Sequence, residues 1–236
     1  MKTAFCLYGQ PRNTKKTLPN IKESWTKHQD IDFFVHAWID ESLRNKPFRS
    51  DIPADILYDG LEDSIISTLS PVDFKFQKNL EFSSEYNDSK SWPCHHPYTS
   101  EGAGQRMQSH FYSIKSVMDM KRNYEDKMGI KYDCVIVCRF DMIFKKEYRI
   151  SDYDMDSLNV KNDCTHTSYC LNDQLAMSNS VIMDEYANFF ENIERYYNLG
   201  IEMNPEVMLG YHIMEKKIQV KKSLGDNNES FVERNV

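Results

Sequence analysis

The run Cys134-Val135-Ile136-Val137-Cys138 is continuously apolar and too short for a helix in water. Such runs read as strands buried on both faces, the habit of parallel sheets covered by helices on each side. This points to the α/β class, with a mostly parallel sheet and these five residues in a central strand. Arg139 and Asp141 follow at alternate positions and so point to one side of an extended chain. In open α/β sheets, ligands bind just beyond the carboxyl ends of the strands. A cation and a carboxylate at that place suit a phosphate oxygen and a divalent metal. An internal Arg–Asp pair closing the strand end is the plainer alternative.

The rest of the chain supplies elements to flank that strand. Residues 3–8 read as a buried strand, and Gly9-Gln10-Pro11-Arg12-Asn13 turns out of it. Leu18-Pro19-Asn20 then opens a helix with proline in its first turn, running to about residue 28. Gly9, Gln10 and Arg12 sit where such a loop meets a ligand, with a solvated loop as the alternative for Arg12. A second strand over 31–38 ends in His36 and Trp38 on one face, and a short helix over 61–69 precedes an alternating strand at 72–76, at an edge or half covered. Met107, Phe111, Ile114 and Met118 repeat at helical spacing within a helix from about 105 to 127, which Gly129 ends. Gln108, Ser109, Tyr112 and Ser113, near its start, are placed to face the ligand edge of the sheet. A further helix spans about 181–197. The last begins at Asn204-Pro205-Glu206, with a cap, a proline at its first position and an early acid. The polar tail from about 224 is expected to fray. No repeat, linker or boundary interrupts the chain, which reads as a single domain over 1–236.

Composition removes several function classes. A net charge of -7 argues against a general nucleic-acid binder, which needs a basic face. No apolar run approaches transmembrane length, and none has the layout of a signal peptide, so the expectation is a soluble, cytoplasmic protein with no transmembrane segment. Cys6, Cys134 and Cys138 lie inside apolar strands, which fits a reduced compartment, while Cys164 and Cys170 are close enough in sequence to pair. Cys94-His95-His96 invites a zinc reading, alone or with the Cys164–Cys170 region. Adjacent ligands give poor tetrahedral geometry, and no second ligand pair follows at standard spacing.

Taken in order, the chain offers Gly-Gln-Pro-Arg after the first strand, His-Ala-Trp after the second and Tyr-Asp-x-Val-Ile-x-x-Arg-Phe-Asp in the centre. Asn172-Asp173-Gln174 follows within Asn-Asp-Gln-x-Ala-x-Ser, then Pro-Glu-x-x-Leu-x-x-His from Pro205 to His212. This series resembles small glycosyltransferases of the GT-A type, compact nucleotide-sugar-dependent enzymes familiar from bacteria, phages and large viruses. The resemblance spans nearly the whole chain and rests on the order of the motifs, none of which is strong alone. It implies a Rossmann-like α/β/α sandwich. It also implies transfer of a sugar from a nucleoside-diphosphate donor to a glycan or other hydroxyl acceptor, with Mn2+ or Mg2+ assisting. Arg139-Phe140-Asp141 lies where that group places its Asp-x-Asp metal motif, with Arg139 replacing the first acid. The resemblance assigns Asp141 and His212 to metal or diphosphate, and Gly9, Gln10 and Arg12 to the nucleotide. It places Asp173 at the donor sugar or acceptor, and Glu206 near the catalytic base. The chemistry needs leaving-group charge stabilised on a diphosphate and, for inversion, a carboxylate to take the acceptor proton. Helix capping for Glu206 and cleft-edge hydrogen bonding for Asp173 are the structural alternatives. A non-catalytic nucleotide-sugar or glycan-binding module of the same fold is the competing function, favoured by Arg139 in place of an acid.

Overall fold

A computed structural model of the chain describes residues 1–43, 58–87, 102–165 and 167–233. The apolar run forms β4 (Cys134–Arg139), the middle strand of seven. On one side lie β1 (Thr3–Gly9), β2 (Ile31–Trp38) and β3 (Asp73–Gln77). On the other lie β7 (Leu175–Ser178), β6 (Leu158–Val160) and β8 (Val220–Lys221), in the order β3-β2-β1-β4-β7-β6-β8. β3, β2, β1 and β4 are mutually parallel, whereas β7 runs antiparallel to both of its neighbours. The expected α/β class with a mostly parallel central sheet is what the chain adopts, and β3 takes an edge, one of the two places its alternating pattern allowed.

Alternation along the strands builds a core on each face. Phe5 and Leu7 of β1, with Ile136 and Cys138 of β4, face α1 (Thr14–Thr26) and α2 (Leu61–Leu69). Trp25 of α1 is fully buried there, stacked on Tyr148 at 4.2 Å and meeting Phe5 and Phe144 edge-on. Ala4, Cys6 and Tyr8, with Val135 and Val137, face the other way against α3 (Ala103–Met128). That layer is completed by α4 (Ser180–Ala187), α5 (Ile193–Asn198) and α6 (Pro205–Glu215). Helices on both sides are what makes β4 apolar throughout. Gly129 ends α3 at φ 63, the left-handed turn glycine adopts without strain.

A buried ionic network fastens α3 to α4. Lys121 and Glu125 are both fully buried and 3.1 Å apart. The Lys121 ammonium also donates to Asp184 at 2.8 Å and to Ser180 at 2.7 Å. Glu125 accepts from Ser180, from Lys131 and from the Tyr132 backbone N–H.

Four expectations need correction. The first helix starts at Thr14, so Pro19 lies inside it rather than in its first turn. The bond it removes is to the Lys15 carbonyl, and both residues are exposed, so the missing bond falls on the solvent side of the helix. The helix expected over 181–197 is broken by a 3-10 turn, Asn188–Asn192, which carries Phe189 into the core against Phe111 at 4.2 Å. The segment after 224 does not fray as its polarity implied. Leu224 is fully buried, and β9 (Ser230–Val232) pairs antiparallel with β5 (Met142–Phe144). The zinc reading finds no support from its second half: Cys164 and Cys170 are joined in a disulfide with Cα atoms 6.0 Å apart, so neither thiolate is offered to a metal. Cys94, His95 and His96 lie outside the described residues. Cys6, Cys134 and Cys138 are free and buried. Among the described residues no helix is long and apolar enough to cross a membrane.

Candidate functional site

The parallel strands end together, and their last residues set the site. Tyr8 pairs with His36 of β2 on one side and with Arg139 of β4 on the other, a single row across three strands. Arg139 follows Val135 and Val137 in alternation, so it projects toward the α3 layer, as Tyr8 does. Its Nε donates to Asp141 Oδ1 at 2.9 Å and its Nη2 to Asp141 Oδ2 at 2.6 Å, a fork matched to one carboxylate. Asp141 is 3% exposed, while the Arg139 side chain keeps 26% of its surface. The internal Arg–Asp pair, the plainer alternative for these two residues, therefore forms, and the Arg139 side chain stays partly exposed.

Asp173 reaches the same place from the other half of the chain. β7 runs back along β4, so the Gln174 carbonyl accepts from Arg139 N at 3.2 Å and Asp173 sits just beyond. The Tyr8 hydroxyl donates to the Asp173 carbonyl at 2.6 Å, and Asp173 Oδ2 lies 3.5 Å from His110 Nε2 of α3. Burial holds His110 below the ordinary imidazole range, with Asp173 pulling the other way, so the ring is neutral near pH 7. Burial and then Asp173 push the ionisation of Tyr186 of α4 up, and its fully buried hydroxyl has no hydrogen-bond partner among the described residues. A buried orphan of this kind marks a place where a polar partner is missing.

Glu206 stands at the start of α6, where Asn204 Oδ1 caps the helix by accepting from the Glu206 and Val207 N–H groups. The approach of this helix to the Asp173 loop depends on Gly210. A Cβ there would fall 2.0 Å from the Tyr169 carbonyl oxygen. Leu171 N then donates to the Glu206 carbonyl at 3.0 Å, and Cys164 Sγ lies 3.5 Å from Glu206 Oε2. Burial, then Asp173 and Asp163, push the Glu206 carboxyl up to about 8 against the weaker pull of Lys161. At neutral pH Glu206 is thus protonated and poorly suited to the role of general base. Lys161 is fully buried and held by Asp163 at 2.9 Å and Asn227 at 3.1 Å.

The Glu206 shift gives a testable sign. The folded state keeps a proton that the unfolded chain releases between about pH 4.5 and pH 8, so this group lowers stability as pH rises through that window. Glu206→Gln mimics the protonated form and is expected to gain stability relative to wild type over the same range. The gain should be about 2 kcal/mol by pH 8, discounted for partial exposure. Denaturant unfolding of both proteins at pH 5 and pH 8 checks this; an unchanged difference between the two would rule the buried acid out.

The loop after β1 is tied to the same edge. Gly9 N donates to Ser113 Oγ at 2.8 Å, and that hydroxyl lies 2.6 Å from His36 Nδ1. Gly9 has φ +100, and a Cβ there would meet open space. Arg12 is buried, with its guanidinium on the Gln10 side-chain oxygen. Asn13 Nδ2 donates to the Glu233 carbonyl at 3.1 Å, and Glu233 N donates to the Asp141 carbonyl at 2.7 Å. One residue of β-strand tail therefore bridges the loop carrying Arg12 and the end of β4. Lys16 meets the Glu233 carboxylate.

His212 is not brought to this cluster. It is fully buried on α6, with Nε2 2.8 Å from the Glu185 carbonyl and Nδ1 2.7 Å from the Tyr196 hydroxyl. Its ring also packs against Phe189 and Tyr196. Both nitrogens hold internal bonds, so the metal role expected for His212 is corrected to a packing role. The residues do not fit the divalent cation that the resemblance implied. Both Asp141 oxygens are already charge-paired with Arg139, so a cation there would share a partly neutralised carboxylate and sit beside a permanent positive charge.

Tyr8, His110, Lys161 and Tyr186 were missed by sequence reasoning. For His110 a signal existed. It stands three residues after Met107 and four before Ile114, a polar side chain on the core stripe of a helix. Lys161 offered none, because β6 is only three residues long. No protein-family model matches the chain, and no curated protein matches it significantly.

Proposed function

We propose that this chain is a GT-A-type glycosyltransferase that moves a sugar from a nucleoside-diphosphate donor to a glycan or other hydroxyl acceptor in the cytoplasm. The observation that carries the reading is the convergence of Tyr8, Arg139 and Asp173 at the carboxyl ends of the parallel strands, with Tyr8 bonded to Asp173 across 165 residues. This is where open α/β sheets bind ligands. Arg139 supplies the fixed positive charge that a departing diphosphate needs, already oriented by Asp141 before any ligand arrives. Asp173 and the neutral His110 form the acceptor side. Asp173 orients the ring and stabilises positive charge on it, and the ring's lone pair is then a base for the acceptor hydroxyl. Glu206, holding its own proton, acts as a donor to a sugar or acceptor oxygen.

Release of nucleoside mono- or diphosphate from a panel of UDP-, GDP-, dTDP- and CMP-sugars, with simple saccharides as acceptors, tests the reading. Turnover of at least one donor is expected. The competing function is a binding module of the same fold, favoured by the stable Arg139–Asp141 pair. It predicts donor binding without nucleotide release.

A further inference from the structure

We propose that the site binds the diphosphate of its nucleotide directly on Arg139, with no divalent cation between protein and phosphate. This rests on the nucleotide-sugar reading above and departs from what the resemblance implied. Three observations lead to it. The carboxylate available for a metal is engaged on both oxygens by the guanidinium, at 2.9 and 2.6 Å. The histidine expected to complete a metal site is fully buried elsewhere with both ring nitrogens occupied. The guanidinium itself has donors to spare: Nε and one Nη2 hydrogen hold Asp141, Nη1 takes no part in that fork, and the side chain keeps 26% of its surface exposed.

The surroundings suit an anion at that partly exposed group. Asp141 fixes the guanidinium plane, so little side-chain freedom is lost when a phosphate docks. The Tyr186 hydroxyl, fully buried and without a partner among the described residues, is near enough to Asp173 for that carboxylate to push its ionisation up. The open space at Gly9 lies one residue beyond the Tyr8–Arg139 pair, so backbone and phosphate can approach closely. α1 begins five residues further on, and Glu233 links its amino end to Asp141. The amino end of a helix favours negative charge. An arginine backed by a helix terminus performs the charge neutralisation that a metal performs in other phosphate sites.

The test measures binding of UDP, GDP, CDP and dTDP by thermal shift and calorimetry, in EDTA and again with Mn2+ or Mg2+. At least one nucleotide should stabilise the protein, with a Kd that agrees within about twofold between the two conditions. Arg139→Met alone would leave Asp141 buried without its partner, so the variant used is the double substitution R139M/D141N, which removes the pair and keeps the shape. It should bind the same nucleotide at least tenfold more weakly, the scale of one lost charge-assisted contact. Stabilisation that appears only with added metal overturns the proposal, as does full affinity in the double variant. If no nucleotide stabilises the wild-type protein under either condition, the nucleotide-sugar reading falls as well. That outcome is distinct from binding that merely requires metal.

Discussion

Asp173→Asn is expected to lower turnover of the preferred donor by about two to four orders of magnitude, the usual scale for losing a group that serves acid–base chemistry. The substitution keeps shape and the Tyr8 hydrogen bond, which goes to the Asp173 backbone carbonyl. It removes the negative charge 3.5 Å from His110 Nε2. Without it the imidazolium formed on proton transfer loses its stabilising partner, and burial alone depresses the ring further. The fall should therefore appear in kcat, with little change in donor KM. Thermal unfolding should stay within a few degrees of wild type, since no packing is lost. Near-normal kcat in this variant would remove Asp173 and His110 from the chemistry together.

The largest stability effect is expected at a distance from the site. Lys121→Met should destabilise the fold by about 3–5 kcal/mol, because Glu125 and Asp184 then lose the cation between them and Glu125 remains fully buried. For a chain of this length that is a drop of roughly 10 °C or more in the unfolding midpoint. The Lys131 partner keeps Glu125 from being wholly uncompensated, which sets the estimate inside the range rather than above it. Replacing Lys121, Glu125 and Asp184 together by apolar residues of similar size should recover much of the loss, since the penalty comes from stranded charge. A change below about 1 kcal/mol in Lys121→Met, measured by denaturant unfolding, would show that α3 and α4 are held by packing alone.

What could be read in the chain followed from local pattern. The central strand, the edge strand, the short helix at Leu61–Leu69 and the cap at Asn204 all carry their cause within a few residues: an apolar run, an alternation, an amphipathic turn, an Asn-Pro pair. The strands that went unseen are short. β5, β6, β7, β8 and β9 have four residues or fewer and exist through pairing with segments far away, as Met142–Phe144 does with Ser230–Val232. No local periodicity can encode that. The site divides the same way. Arg139 and Asp141 were legible because they alternate at the end of an apolar strand, and Ser113 because it stands near the start of α3 on the ligand edge. His212 misled because a histidine's type does not reveal its partners. Its two nitrogens are taken by a backbone carbonyl and a tyrosine that only the packing of α4 and α5 brings near. Glu206 was legible as a helix-start acid, but its raised carboxyl arises from Asp173 and Asp163, which tertiary structure places beside it.

A crystal structure with an intact or slowly hydrolysed nucleoside-diphosphate sugar bound tests the site most directly. The diphosphate is predicted against Arg139 at the carboxyl end of β4, with the sugar directed toward Asp173 and His110. A donor lodged instead at the opposite end of the strands, in the open cleft of about 620 Å³ lined by Met1, His28 and Arg149, would contradict the account.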